Sequence, residues 1–216
     1  DEFPTVRAEN DAALAALAEL HFGAARGQRN FVTLLAAWGL GAGVVLDGQL
    51  VRGSRGAVGE LGFLEYVDGA GGSTGLYELV EGWIRSRWSA EQLPWSHPWR
   101  EYLDGQRPRE TLLSLLRPDD PIMAPLFEDL AARLSRVIEL LSRIYDPASI
   151  ILAGPAARDA GPLLRAAQEL PPGEAEEPVA DVIISTLGDG IVALGAAAAA
   201  REVPMTVVIE WALRRI

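Results

Sequence analysis

Three polar residues near the start of the sequence could act on a hydroxyl group. Glu9, Asn10 and Asp11 stand directly before an alanine-rich segment that predicts a helix ending at Gly23 or Gly27. A carboxylate within hydrogen-bonding reach of a hydroxyl can take its proton as a general base, and an amide can hold a neighbouring hydroxyl. Asn10 and Asp11 are also good N-cap residues, and by spacing alone capping is the more frequent role of such residues.

A second carboxylate, Glu60, stands in the glycine-rich stretch GAVGELGF. Upstream, Gly39, Gly41 and Gly43 predict a turn between two strands, FVTLL and GVVLD, and Asp47-Gly48 predicts a type I′ hairpin to a third strand at 49–51. Glycines at this density indicate positive φ angles or a close approach of the backbone to a ligand. The stretch therefore predicts a ligand site, with tight hairpin geometry as the structural alternative.

The later elements supply the scaffold for these residues. Helical spacing is found over 76–88, and Asp119-Asp120-Pro121 predicts the start of a long helix that ends near Tyr145. Its apolar stripe is either a core face or part of a dimer seam, and comprises Leu126, Leu130, Leu134, Val137, Ile138, Leu141 and Ile144. From residue 149 short apolar strands alternate with helices, which indicates parallel pairing. The full order is βββαβαβα with a long helical insertion, an α/β fold.

Aromatic residues are concentrated in PWSHPWREYLDGQRP. Trp95, Trp99 and Tyr102 could form a platform for a sugar face, but loop aromatics more often fix a loop to its domain, and we expect the second role here. His97 is expected to be a loop residue and His21 a helix-end residue. The segment 203–216 predicts an extended piece followed by an amphipathic helix, without a recognisable motif.

Composition limits the classes of function. The formal net charge of −11 opposes direct binding to a phosphate backbone, and the lack of cysteine excludes disulfides and thiolate metal sites. No signal peptide or membrane-spanning apolar run is present, so we expect a cytoplasmic protein with no membrane association.

The order END, helix, strand, glycine turn, hairpin, GELG, together with LGDGIVALGAA, resembles the ROK family (repressor, open reading frame, kinase). That family contains bacterial sugar kinases and sugar-responsive repressors. The resemblance implies one lobe of the actin-like, ribonuclease H-like ATPase fold. It also implies that Asp11 is the catalytic base in any active kinase, that Asn10, Asp11 and Glu60 bind the sugar, and that Gly39, Gly41 and Gly43 form a phosphate loop.

The sequence departs from the family pattern where cofactors bind. Trp38 stands where the family has a phosphate-holding threonine, and an indole, which only donates, is a poor replacement for a small hydroxyl. Phe63 replaces the histidine of GELGH, and the family's zinc-binding cysteine segment is absent. Ala153-Gly154-Pro155 alters the adenine-side loop, and no DxGxT-like phosphate loop occurs. We therefore expect no zinc and no metal site, with ATP and Mg²⁺ as cofactors only if kinase activity is retained.

These features favour one function over two alternatives. Residues 1–216 are interpreted as the C-terminal effector-binding and dimerisation lobe of a ROK-type transcriptional regulator, a homodimer without kinase activity. The expected partner is a sugar, and DNA would be bound only through a helix-turn-helix domain preceding residue 1; the other lobe is also expected to lie outside the chain. An ATP-dependent hexose kinase resembling glucokinase is the second interpretation, and an interaction module without ligand binding is the third.

Overall fold

The computed structural model describes residues 8–171 and 179–201 and has the predicted α/β order. The expectation for the segment 203–216 concerns residues outside this described part. The helices are α1 (Asp11–Phe22), α2 (Leu76–Ser89), α3 (Trp99–Leu103), α4 (Ala124–Tyr145), α5 (Gly161–Glu169) and α6 (Ile191–Arg201). The strands are β1 (Phe31–Ala36), β2 (Leu40–Leu46), β3 (Gln49–Leu50), β4 (Ser149–Ala153) and β5 (Asp181–Ile184).

The five strands form a single mixed sheet in the order β3-β2-β1-β4-β5. β2 pairs antiparallel with β1 and β3, whereas β1–β4 and β4–β5 are parallel. The parallel pairing predicted from the alternation of strands and helices is confirmed. Because β1 and β4 run in the same direction, both carboxyl ends lie at one edge of the sheet, where open α/β sheets bind ligands.

Helices cover both faces of the central strands. Val32 and Leu34 of β1 belong to the large core that includes α2, α4 and α5, whereas Leu35 packs with α1 and α6 on the opposite face. All six residues of β1 are buried. Complete burial explains why β1 is apolar at every position except Thr33 instead of alternating.

Helix α1 is packed so closely that alanine, and not leucine, forms most of its buried surface. Ala12, Ala15, Ala16 and Ala18 are completely buried, while of the leucines Leu14, Leu17 and Leu20 only Leu17 is buried. A Cβ atom on Gly43 of β2 would lie 2.2 Å from the carbonyl oxygen of Ala12, and one on Gly195 of α6 would lie 1.8 Å from that of Leu14. Small residues therefore allow α1 to fit between the sheet and α6.

The first hairpin differs from the expectation at one turn and matches it at the other. Strand β2 begins at Leu40, so Gly41 and Gly43 are strand residues, and only Gly39 remains in the turn. Positive φ angles were one of two possibilities for these glycines, and none of the three has one. Asp47 and Gly48 have φ angles of 54° and 78°, which confirms the type I′ turn.

Helix α4 starts later than predicted and buries its own stripe. The side chain of Asp120 accepts a hydrogen bond from the backbone N–H of Ile122 at 2.8 Å, which makes a separate turn, and the helix begins at Ala124 with Pro125 in its first turn. The predicted end is confirmed, since Asp146 adopts a left-handed cap after Tyr145. Every residue of the stripe except Ile144 is buried within the chain, so the stripe is a core face and not a dimer seam.

The glycine-rich segment after Glu60 contains regular structure. A 3₁₀ helix spans Gly62–Tyr66, and bonds from each N–H to the carbonyl three residues earlier join Leu61, Leu64, Val67 and Ala70 in turn at 3.0–3.2 Å. These four apolar residues face the core at three-residue intervals, which is the period of a 3₁₀ helix.

The aromatic segment is attached to the domain as expected, with one exception. Trp99 and Tyr102 are buried, but Trp95 is 74% exposed. His97, expected to be a simple loop residue, is buried, and its Nε2 lies 3.1 Å from a carboxylate oxygen of Asp120. No helix among residues 8–171 and 179–201 has the length and apolar character needed to cross a membrane.

Candidate functional site

Asn10 and Glu60 meet in the folded chain. The side-chain amide of Asn10 donates a hydrogen bond of 2.7 Å to Glu60 Oε1, while its oxygen accepts the backbone N–H groups of Ala12 at 2.8 Å and Ala13 at 3.4 Å. Asn10 is therefore the N-cap of α1 and an orienting partner of Glu60 at once. The amide has two N–H groups, so the second can donate to a ligand hydroxyl.

The segment before Glu60 is positioned by a glycine. Gly59 has a φ angle of 89°, and a Cβ atom there would lie 1.7 Å from the carbonyl oxygen of Ala42. This close approach allows two backbone contacts. The Gly59 carbonyl accepts a 2.9 Å hydrogen bond from the N–H of Ala42, and Glu60 forms a β-bridge with Gly41. The GELG segment is thus fixed to the edge of β2.

An ion pair joins the same two segments beside this contact. Arg52 Nε lies 2.6 Å from Glu9 Oε2, and the side chains are 33% and 16% exposed. Glu9 is consequently engaged with a cation, which leaves Asn10, Asp11 and Glu60 as the ligand-facing candidates. The sequence alone did not predict the pairing with Arg52.

Asp11 occupies the first position of α1 and is exposed. One of its oxygens accepts the N–H of its neighbour Ala12 at 2.7 Å. This local bond is compatible with the capping role, and the exposed position is compatible with acceptance of a hydroxyl proton. Asp11 therefore stands beside Asn10 at the exposed start of α1.

The turn between β1 and β2 carries Trp38, and its backbone is hydrogen-bonded to neighbouring segments of the chain. The N–H of Ala37 donates to the Gly39 carbonyl at 3.1 Å, the N–H of Leu40 donates to the Ser73 carbonyl at 2.8 Å, and the Trp38 carbonyl accepts from Gly75 at 2.7 Å. A phosphate loop needs backbone N–H groups directed at the ligand. Two N–H groups of this turn are already engaged within the chain.

The indole of Trp38 contacts two side chains. Its ring centroid is 5.4 Å from that of Tyr77, and the guanidinium carbon of Arg109 lies 4.5 Å from the Trp38 ring. The pKa of Tyr77 is raised to about 12, mainly by burial and to a smaller extent by the negative charge of Asp159. The phenol is therefore neutral at ordinary pH. Trp38 therefore has aromatic and cationic partners at the place where the resemblance puts a phosphate.

The buried carboxylate of Glu81 binds Arg109, the arginine that contacts Trp38. Glu81 forms ion pairs with Arg109 and Arg85, each at 2.7 Å, and its own side chain is 10% exposed. Burial acts to raise the pKa of Glu81, but the hydrogen bonds from Arg85 and Arg109 outweigh it and leave the pKa below its ordinary value. Sequence reasoning missed this pair because 28 residues separate Glu81 from Arg109.

The loop after β4 also needs its glycine. Gly154 has a φ angle of 92°, and a Cβ atom there would lie 2.8 Å from the carbonyl oxygen of Ala36 at the end of β1. Beyond it, Arg158 and Asp189 form an exposed ion pair at 2.8 Å. Gly154 is therefore explained by packing against the neighbouring strand.

Glu19 is a buried carboxylate that the sequence analysis did not select. It is completely buried in α1, where one oxygen accepts the N–H of Ala24 at 2.7 Å and the other accepts the hydroxyl of Ser185. A glutamate inside an Ala/Leu run is the signal that could have identified it, because an unpaired buried carboxylate is costly. Its partners give it a structural role that links α1 to the loop after β5.

Metal ligands are not grouped in the described part of the chain. No three His, Asp or Glu side chains of residues 8–171 and 179–201 come together as a possible metal site. Phe63, at the position of the family histidine, is 38% exposed.

The sequence of this chain is similar to those of known proteins. The chain matches the model of the ROK family over residues 4–203. It is 28% identical to the glucokinase of Streptomyces coelicolor over 211 residues, which cover 90% of this chain and 66% of that enzyme. It is 24% identical to the DNA-binding transcriptional repressor Mlc of Escherichia coli over 158 residues, which cover 70% of this chain and 38% of the repressor.

The fold is shared with a solved member of the same group. A ROK family glucokinase from Streptomyces griseus, in complex with glucose and AMPPNP, superimposes with a TM-score of 0.70 at 25% identity and covers 90% of this chain and 67% of that one. The predicted actin-like α/β fold is thereby confirmed, although the chain spans slightly less than two thirds of the S. coelicolor enzyme. On the match over residues 4–203, the chain belongs to the ROK family.

Proposed function

We propose that this chain is the sugar-sensing domain of a ROK-type transcriptional regulator and that it does not phosphorylate its ligand. The observation that carries the proposal is the 2.7 Å hydrogen bond from Asn10 to Glu60, in a chain that has Trp38 where the resemblance puts the phosphate-holding threonine. Recognition groups are kept where the features for phosphate binding are altered.

The polar groups suit a neutral sugar. Glu60 and Asp11 are exposed carboxylates that accept hydroxyl protons in hydrogen bonds, and the Asn10 amide donates. Arg52, the arginine bonded within these segments, is paired with Glu9. A neutral or N-acetylated sugar therefore fits better than an anionic one, which would meet two carboxylates.

The Trp38 turn supports the absence of phosphoryl transfer. Transfer of a γ-phosphoryl group depends almost entirely on positioning and on stabilisation of negative charge. Here a bulky indole takes the place of the hydroxyl, and Arg109, which lies 4.5 Å from the Trp38 ring, is held by Glu81. We propose that binding of sugar changes the regulator's assembly or its affinity for DNA, with DNA contacts made by a separate domain and with homodimerisation of this one.

A sugar kinase is the second candidate. It is favoured by the glucokinase similarity, which covers 90% of the chain, and by the presence of Asn10, Asp11 and Glu60 at the positions that the resemblance assigns. In that case Asp11 would be the general base. The two candidates share sugar binding and differ in ATP-dependent turnover.

Calorimetric titration of a panel of neutral sugars, including D-glucose, D-xylose and N-acetyl-D-mannosamine, tests the proposal. A thermal-shift screen precedes it, because a ligand that binds only the folded state raises the melting temperature in a concentration-dependent way. We expect binding that Glu60→Gln weakens at least tenfold, with Glu78→Gln, an exposed glutamate of α2, as the matched control. Binding unchanged by Glu60→Gln would refute the site, and no response to any sugar would favour an interaction module.

A further inference from the structure

Two side-chain contacts join the start of α1 to the loop that runs from β3 to the GELG segment. The amide of Asn10 donates to Glu60 Oε1 at 2.7 Å, and the neighbouring Glu9 accepts from Arg52 Nε at 2.6 Å. Arg52 and Glu60 therefore bond to consecutive residues of one segment. The ion pair belongs to the same junction as the proposed recognition pair.

The loop that carries Arg52 is closed on itself before the chain reaches Glu60. The Arg52 carbonyl accepts the N–H of Val58 at 3.4 Å, and the N–H of Glu60 donates to the Ala57 carbonyl at 3.3 Å. The closure is tight, since a Cβ atom on Gly53, whose φ angle is 70°, would lie 2.9 Å from a methyl carbon of Val58. The backbone positions of Arg52 and Glu60 are thus linked through one short loop.

The residues directly before α1 depend on such a contact for their position. Residues 8–10 belong to neither a helix nor a strand, and Asn10 has an extended backbone with φ −65° and ψ 143°. The side chain of Glu9 is 16% exposed and that of Arg52 is 33% exposed. Because water and salt screen a partly buried ion pair less than an exposed one, this pair fixes the segment more firmly than a surface pair would.

We infer that Arg52 is a positioning residue of the proposed sugar site, whose ion pair with Glu9 holds the start of α1 so that the Asn10 amide meets Glu60 before a ligand arrives. The inference rests on the sugar binding proposed at Asn10 and Glu60. Arg52 acts through Glu9 and makes no contact with the sugar itself. A site that is ordered in advance loses less conformational entropy when the ligand binds.

The bond between Asn10 and Glu60 benefits from this support because it is weakly held by itself. Glu60 is exposed and Asn10 is only partly buried, so water competes for both groups. The rotational freedom of the glutamate side chain also opposes a fixed geometry. A second contact from the adjacent residue restricts the segment that carries Asn10, and the two contacts should therefore be energetically coupled.

Calorimetric titration with D-glucose, D-xylose and N-acetyl-D-mannosamine tests the inference. We expect Arg52→Gln and Glu9→Gln each to weaken binding about three- to fivefold, on the scale of a partly exposed ion pair, and the double variant to lose no more than either single one. Arg52→Lys should keep most of the affinity, because a single N···O contact does not need the guanidinium fork. Arg55→Gln, which changes an exposed arginine of the same loop, is the matched control.

A measurement on the ligand-free protein separates positioning from a general loss of structure. Asn10 and Asn30 are the only asparagines in the sequence, so the side-chain amide resonance of Asn10 in a nitrogen–proton correlation spectrum can be assigned by its loss in Asn10→Ser. Arg52→Gln should move this resonance toward that of a solvent-exposed amide and leave the resonance of Asn30 unchanged. In the Asn10→Ser background, Arg52→Gln should cause no further loss of sugar affinity.

The outcomes separate this inference from the proposed function. Unchanged sugar affinity in Arg52→Gln overturns the inference, while binding that requires Glu60 still stands. A loss of affinity that persists in full in the Asn10→Ser background would give Arg52 a direct contact with the ligand and would also overturn it. If no sugar of the panel binds, the proposed function fails; a shifted Asn10 resonance in Arg52→Gln then retains Arg52 as the residue that positions the amide, and an unchanged one removes it.

Discussion

The side chains of Asn10 and Glu60 are joined by a 2.7 Å hydrogen bond although fifty residues separate them in the sequence. Asn10 also caps α1, so the same residue begins the helix and orients the carboxylate. A change at Asn10 therefore affects stability through the cap and recognition through the amide, and the two effects can be separated by the choice of substitution.

The first prediction compares two substitutions of Asn10. Asn10→Ala removes the cap and should lower the free energy of unfolding by about 0.5–2 kcal/mol, whereas Asn10→Ser keeps an acceptor for the helix amides. Both variants lose the N–H donor to Glu60, so both should bind sugar more weakly. Urea unfolding and calorimetric titration of the two proteins measure the effects. Wild-type affinity in Asn10→Ser would contradict the assigned role of the amide.

The second prediction concerns the reason for Gly43. A methyl group there would lie 2.2 Å from the backbone oxygen of Ala12, so Gly43→Ala should force α1 away from β2 and destabilise the fold by about 1–3 kcal/mol. Gly190→Ala is the control, because no atom lies within 4 Å of its added Cβ and its φ angle is not positive. Equal unfolding midpoints for the two variants would show that α1 adjusts without cost.

The features of this structure that could be predicted from the sequence are those determined by residues close together in the chain. Asp47-Gly48 determines its turn locally, and the strand–helix alternation predicts the sheet because each pattern is carried by neighbouring residues. Asp119-Asp120-Pro121 is also a local signal for a helix start. However, Asp120 closes a separate turn, and the helix itself begins at Ala124, with Pro125 in its first turn.

Contacts between distant residues were not predictable in the same way. Arg109 reaches Trp38 only because the insertion between α3 and α4 folds back to the β1–β2 turn, and no periodicity encodes that approach. The meeting of Asn10 with Glu60 was anticipated through the family resemblance and not through spacing. The 3₁₀ helix over Gly62–Tyr66 could have been found from the three-residue spacing of Leu61, Leu64, Val67 and Ala70.

The third prediction concerns acid stability. The pKa of Glu81 in the folded chain is below its ordinary value of 4.5, because the hydrogen bonds from Arg85 and Arg109 outweigh burial. The stabilisation by ionised Glu81 is therefore complete above the unfolded pKa and is lost as the pH falls through the folded pKa. Glu81→Gln should lower stability at neutral pH and reduce the loss of stability below about pH 4.5. Unfolding free energies from pH 3 to pH 7 test this, with Glu78→Gln as the control; parallel curves for wild type and Glu81→Gln would refute it.

The fourth prediction is the homodimer expected from the family resemblance. The apolar stripe of α4 is buried within the chain, so its interface would have to use another surface. Light scattering at micromolar concentration should give twice the chain mass, and Leu134→Ala, a substitution in the buried stripe, should lower stability without selectively dissociating the dimer. A monomer mass throughout this range, or a folded monomer produced by Leu134→Ala, would contradict the prediction.

The last prediction is that the chain does not transfer phosphate to sugar. The β1–β2 turn uses the N–H groups of Ala37 and Leu40 internally, and Trp38, in contact with Tyr77 and Arg109, stands where a phosphate-holding hydroxyl would be needed. Phosphoryl transfer requires such groups to be positioned on the γ-phosphate before reaction. A coupled assay of ADP release across the sugars that bind should therefore show no sugar-dependent turnover. Asp11→Asn is the control, because a contaminating kinase would be unaffected by it; sugar-dependent turnover in the wild type that Asp11→Asn abolishes would show that this chain is a kinase after all.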